Sequence, residues 1–464
     1  MEKARLLKRV NSYFISNTLT KVFSFCLVIL YAFYISPDNF GDYEYVQSLI
    51  NIVVPFSFLS IWEAILKFGL DEKVNRQKVI GTSVMFTLGM ATILTIVCIT
   101  YFCFSNSGIL IPTFVTLTFV LDGIRIMWQH YLKILNKYDV YVKSSVIGNV
   151  VSIVSVLVMV LCFRLQLGAL FVSSLLGTIT SICIIEFKEH ILAYIKKNNI
   201  DLVMLKNMVK YSMPLVVAAI LTWGITGLSK FVIQNYISDE ANGIYSFAHK
   251  FTIIITFVST ILGAAIAEEM LTLPKDKFNK EFSVVTNKLT NGYITLGIIA
   301  MPLIMIVYKI IEKTKYYESK KYVPLLILYF IFLTLANHIS TVFKKYSKNK
   351  YSLLATLIGV VVTIMLMFFS IRRVGVLGVV LAQFLGALTM LITSLIFARK
   401  YVKVRINNVK TVLLLLAYIL FSTATLMVNW YLSIALFLFT IFVFKDNILD
   451  IFKEYKGRKS EESI

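Results

Sequence analysis

Residues 150–163, VVSIVSVLVMVLCF, decide the fold class. The strands of a membrane barrel alternate lipid-facing apolar and lumen-facing polar positions, and this run is apolar at both registers. Only helices and closed barrels satisfy every backbone polar group inside hydrocarbon. The stretch therefore reads as a membrane-spanning helix. Crossing about 30 Å of hydrocarbon takes roughly 20 helical residues, and runs close to that length recur along all 464 residues. Spans are expected near 14–36, 44–66, 80–103, 110–132, 144–163, 168–187, 211–235, 244–267, 283–308, 323–343, 351–370, 375–397, 411–428 and 430–444.

Composition agrees. Hydrophobic residues make up 58% of the chain and charged residues 15%, where a soluble protein carries about a quarter charged. The connection 188–210 is the longest expected, and no loop is long enough to fold alone. The expectation is an all-α integral membrane protein of about 14 transmembrane helices. That excludes membrane enzymes built around a large extracytoplasmic domain.

Net charge is +21, from 46 Lys+Arg against 25 Asp+Glu. In a soluble chain such an excess would suggest nucleic acid; here it sorts by side. With the N-terminus inside, the outer loops hold only Arg164, Lys309, Lys313, Lys315, Lys320, Lys321, Arg372 and Arg373. Most other cations lie on inner segments, as the positive-inside rule expects. Both termini are thus expected in the cytoplasm. The loop 309–322, with five of those lysines, runs against the bias. The basic start MEKARLLKRVNSYF has no small-x-small cleavage site after its apolar run and reads as a retained first helix.

Two segments repeat. YISPDNFGDY (34–43) aligns without gaps on YISDEANGIY (236–245), matching Gly41 with Gly243 and Tyr43 with Tyr245, while Asp38 meets Glu240. Each copy is expected in a short outer turn, with the glycine free to take positive φ and the tyrosine at the interface. Asn136-Lys137-Tyr138 likewise matches Asn349-Lys350-Tyr351, Leu167-Gly168 matches Leu377-Gly378, and Gly177 falls near Gly386. The chain divides accordingly into two six-helix halves, 1–200 and 205–405, an accessory helix pair over 408–446 and a tail over 447–464. Since six is even, the halves insert the same way up, as parallel lobes around a central cavity.

A charge at a helix centre costs about 2.5–3.5 kcal/mol on insertion scales, so it marks a partner, a wet cavity or a snorkelling route. Lys21, Arg125, Lys230 and Lys250 are the embedded cations, and Asp122 is the clearly central acid, three residues from Arg125 on one helix face. Glu63 and Lys67 stand one turn apart at an inner helix end. His338 and Asn291 read as interhelical hydrogen-bonding groups. The balance suggests a net positive interior suited to an anionic head group such as a diphosphate. Asp122 and Glu63 are candidates for ion coupling or charge partnership. No nucleotide-binding, nucleophilic or Asp-rich metal motif is present. Five cysteines fall in or beside spans without C-x-x-C spacing, and four histidines are dispersed. No catalytic residue, metal or cofactor is therefore expected.

The outer-turn motif, the doubled core and the appended pair resemble a polysaccharide repeat-unit flippase of the Wzx type. That family sits in the superfamily of multidrug, oligosaccharidyl-lipid and polysaccharide exporters. Four stretches carry the resemblance: 35–69, 205–251 with Tyr-Ser-x-Pro at 211–214, 316–335, and 349–391 with Val-Gly-Val-Leu-Gly at 374–378. Lys230 stands near where relatives place Arg or Asp-Arg, and Asn11-Ser12-Tyr13-Phe14 lacks the proline of its second-half counterpart. The resemblance implies a bacterial cell-membrane transporter that moves undecaprenyl-diphosphate-linked oligosaccharide outward by alternating access. It further implies contacts with membrane lipids and a polysaccharide polymerase complex, and none with nucleic acid. On that reading Lys21, Arg125, Lys230 and Lys250 contact the substrate. A lipid II-type precursor flippase and a multidrug exporter on the same scaffold are the alternatives.

Overall fold

The computed structural model describes residues 27–71, 73–104, 110–402, 404, 408–427 and 438. Lys21, the tail and all of the last expected span but residue 438 lie outside them. Among the described residues the chain is helical, and nine helices are long and apolar enough to cross a membrane, ten if one bent pair counts as a single span. It is an all-α membrane protein. The chain divides into two compact units, Met1–Phe231 and Val232–Ile464.

In the first unit, residues 27–34 are helical and lead into α1 (Pro37–Ser57). Pro37 occupies the first turn, where its missing N–H costs nothing. The structure thus corrects the turn motif: Gly41 is buried inside α1, and Gly243 is likewise buried inside a helix, Asp239–Lys250. Neither takes positive φ, which among the described glycines belongs to Gly375. The turn itself is held by Gln166, whose Oε1 accepts from Ser36 N at 3.3 Å and Asn39 Nδ2 at 2.6 Å.

The second expected span is broken. α1 ends at Ser57, Leu59 and Ser60 turn left-handed with φ of 51° and 45°, and α2 (Ile61–Gly69) departs at 58°. Pro55 removes one helical donor, and its carbonyl accepts Ser60 N at 2.9 Å across the break. The seventh span also differs from expectation. α7 (Leu202–Thr226) begins within the expected connection 188–210, because Asp201 caps it by accepting Met204 N at 3.0 Å. α7 stops at Gly227, and α8 (Leu228–Tyr236) follows.

The remaining α-helices of the first unit are α3 (Arg76–Phe104), α4 (Leu110–Ile134), α5 (Tyr138–Leu161) and α6 (Leu167–Glu189). α5 shows why they sit as they do. Its exposed positions Ile147, Val150, Val154, Val158 and Leu161 form a stripe at three- and four-residue spacing, the surface an apolar solvent would wet. On its other face Gly148 packs against Gly177 of α6: a Cβ on Gly148 would meet Ser181 Oγ and the Gly177 carbonyl, and a Cβ on Gly177 would lie 2.6 Å from the Gly148 carbonyl. Lipid gives helices no hydrophobic reason to associate, so close backbone approach through small residues does the work.

The second unit comprises α9 (Asp239–Lys250), α10 (Ile253–Thr272), α11 (Lys275–Ile310), α12 (Val323–Lys345), α13 (Asn349–Val374), α14 (Val376–Ala398) and α15 (Asn408–Met427). The eighth expected span is therefore two helices, α9 and α10. The α5–α6 device recurs in α13 and α14, where a Cβ on Gly359 would lie 3.1 Å from the Gly386 carbonyl and one on Gly386 3.0 Å from that of Gly359. His338 of α12 stacks on Phe282 and pairs with Thr286 of α11 at 3.2 Å. Thr411 of α15 donates to Asn291 Oδ1 at 3.3 Å, and Tyr418 to the Pro324 carbonyl at 2.8 Å. The Lys-rich segment folds as a 3₁₀ helix, Lys315–Tyr322, with Tyr316, Ser319 and Tyr322 buried at the three-residue period of that helix. Lys315 pairs with Glu240 at 2.7 Å.

Candidate functional site

Three helices of the first unit carry polar residues at helical spacing on one face each. α4 presents Asp122, Arg125 and Gln129; α5 presents Tyr141, Ser145, Asn149 and Ser152; α6 presents Ser174, Thr178 and Ser181. With Gln47 from α1 they line an open cavity of about 330 Å³. Intervals of three, four and seven residues place such groups above one another on a helix, while the stripe of valines on α5 faces the opposite way.

Among the described residues, Asp122 and Arg125 are the charged ones in the lining. Arg125 donates through Nε at 2.9 Å and Nη2 at 2.6 Å, both to Asp122 Oδ1. Gln129 Nε2 donates to Ser145 Oγ at 3.3 Å. Ser181 Oγ donates to the Ser144 carbonyl at 3.0 Å, tying α6 to α5. Gln47 Nε2 is buried without a hydrogen-bond partner.

Of the residues singled out from sequence, the structure brings Asp122 and Arg125 together in this cavity. Lys230 reaches Glu44 at 2.5 Å, with Glu44 2% and Lys230 13% exposed. The expected surplus of positive charge is correspondingly smaller here, since Arg125 and Lys230 each face a carboxylate. Lys250 ends α9 in the second unit, and Glu63 is exposed on α2. Lys67, expected beside Glu63, lies over the Tyr211 ring at 3.8 Å. Tyr43 meets Phe171 edge-on, and the fully buried Tyr245 donates to Gln383 Oε1 at 2.7 Å.

Sequence reasoning passed over Glu44, Gln47 and the serines and threonines of α5 and α6. The signal for Glu44 was Ser36-Pro37, a helix start seven residues upstream that places it two turns inside. For the cavity it was Ser145, Asn149 and Ser152 within an otherwise apolar span.

Residues 6–267 match the family described as polysaccharide biosynthesis protein. The chain belongs to that family. No curated protein matches the sequence of this polysaccharide biosynthesis protein. Solved structures match its fold. A lipid II flippase, MurJ, in an inward closed conformation shares 15% identity at a TM-score of 0.65, over 95% of this chain and 98% of that one. An inward-facing multidrug resistance MATE family transporter of the MOP superfamily shares 13% at 0.56, over 78% and 93%. A MATE protein in the straight conformation shares 11% at 0.58, over 85% and 94%. The chain is thus a member of the polysaccharide biosynthesis family whose fold is similar to that of these transporters.

Proposed function

We propose that the protein carries polyprenyl-diphosphate-linked oligosaccharide repeat units from the inner to the outer leaflet of a bacterial cell membrane. The observation that carries this reading is the polar cavity within membrane-spanning helices of a polysaccharide biosynthesis protein. Unpaired polar groups cost several kcal/mol each in hydrocarbon, so a sugar chain and a diphosphate need a polar route while the lipid tail remains in the bilayer. Alternating access of two related halves, 1–200 and 205–405, would supply it. Lys21, Lys230 and Lys250 remain proposed contacts for the diphosphate, with Glu44 a competitor that Lys230 must leave. Both termini are proposed to be cytoplasmic, and a polymerase is a proposed partner that receives the exported unit.

Deletion in the native host tests this. Surface polysaccharide should disappear while the complete lipid-linked unit accumulates on the cytoplasmic leaflet. Unaltered surface glycan together with lost resistance to cationic dyes would instead identify a drug exporter.

A further inference from the structure

We infer that the cavity among α1, α4, α5 and α6 is a saccharide subsite that takes an uncharged sugar ring of the cargo. This rests on the flippase reading and assigns the diphosphate elsewhere.

The lining states the ligand chemistry. Among the described residues its formal charges are one carboxylate and one guanidinium, and these already bind each other through Asp122 Oδ1. A diphosphate requires a surplus of donors and positive charge, which a neutral pair does not provide. A bound cation would sit beside the guanidinium that occupies the lining carboxylate. Drug-sized ligands favour pockets lined mainly by apolar and aromatic groups, unlike the amides and hydroxyls of Gln47, Gln129, Asn149, Ser174 and Thr178. Amides and hydroxyls both donate and accept, which matches the hydroxyls of a sugar. The volume, about 330 Å³, is at the lower end of ligand cavities, about 300–1,000 Å³, a size suited to a ring or two with water.

Gln47 supplies the second observation. A buried donor without an acceptor is costly, and this one belongs to a residue lining the cavity. A rotation of the Gln47 side chain, which lines the cavity, would bring this donor to a sugar hydroxyl or acetamido oxygen. Replacing Gln47 with Leu removes the unmet donor, so a purely structural account expects equal or higher stability and nothing else. A subsite predicts unchanged folding with lost binding.

The test uses the full chain in lipid nanodiscs, with N-acetylglucosamine, galactose, glucuronate, inorganic diphosphate and sodium as separate probes and thermal unfolding as readout. A neutral sugar should raise Tm saturably, and the shift should vanish in Gln47→Leu and Gln129→Leu variants whose unliganded Tm is at or above wild type for Gln47→Leu. A Tm shift from diphosphate or sodium that depends on Gln47 and Gln129, or no shift with any neutral sugar, overturns the subsite. In a deletion strain the double variant should export glycan about tenfold or more slowly at equal membrane abundance, the loss of two hydrogen bonds. Export at the wild-type rate refutes the subsite and leaves the flippase reading intact. If the wild-type gene itself fails to restore export, the flippase reading falls, and the nanodisc measurement still judges the cavity.

Discussion

Lys230 Nζ and Glu44 Oε2 form an ion pair at 2.5 Å between α8 and α1, beside the point where α7 stops at Gly227. Adjacent contacts lock the same place: Ser48 Oγ donates to the Gly227 carbonyl at 2.8 Å and Trp223 Nε1 to the Ser48 carbonyl at 2.9 Å. Gly227 is required there because a Cβ would run into the Trp223 ring. The break in the seventh span is thus a built joint with a pair of opposite charges across it.

Losing one member of a buried pair is destabilising, by up to about 3–5 kcal/mol, whereas replacing both with apolar groups of similar volume is often neutral. Glu44→Gln and Lys230→Met should each lower Tm sharply, and the double variant should recover most of the loss. Additive losses in a double-mutant cycle would show that the two side chains do not act as a pair.

Close helix approach makes a second prediction. Gly148→Leu and Gly386→Leu should each cost about 1–3 kcal/mol by overpacking, because the facing atoms include backbone carbonyls. Gly89, with nothing within 4 Å of a Cβ, is the control: Gly89→Ala should be neutral or stabilising by up to about 1 kcal/mol. Thermal unfolding of detergent-purified variants reads both.

Tyr245 and Gln383 are both fully buried. Tyr245→Phe removes a donor from Gln383 and should cost about 1–3 kcal/mol. Tyr236→Phe alters a half-exposed ring and should stay within about 0.5 kcal/mol. Equal effects would remove any structural role for the second-unit copy of the Tyr motif.

The 3₁₀ helix with its exposed lysines should face outward despite the charge bias. In a background without the five native cysteines, Lys313→Cys should react with a membrane-impermeant maleimide on intact cells, and Lys196→Cys only after permeabilisation. The reverse pattern would invert the topology.

Long apolar runs such as 150–163 and 351–370 made the helices readable, because length and hydropathy alone specify a span. What stayed hidden was interruption. The bend at Leu59–Ser60 follows Pro55, a visible signal, but α9 and α10 part at Phe251–Thr252 without a proline or glycine, so packing sets that break. Asp122 and Arg125 stood out as charges in an apolar run, and their three-residue spacing foretold the pair. Lys230 was equally visible, yet its partner was not: Glu44 lies 186 positions away, and no local pattern reports such a contact. The net charge of the interior therefore could not be read from the chain, since it depends on which distant carboxylate each cation meets. The polar face of α5 and α6 was spelled out residue by residue, but serines and threonines in membrane helices also serve as packing glue, and only the cavity they line separates the two roles.

Trans-bilayer movement of a lipid-linked saccharide is the most direct measurement. Proteoliposomes holding the purified full chain and a fluorescent polyprenyl-diphosphate saccharide should expose inner-leaflet probe to an external, membrane-impermeant quencher well above the rate of protein-free vesicles. A rate equal to that of empty vesicles, with the same preparation expelling a cationic dye, would contradict the account.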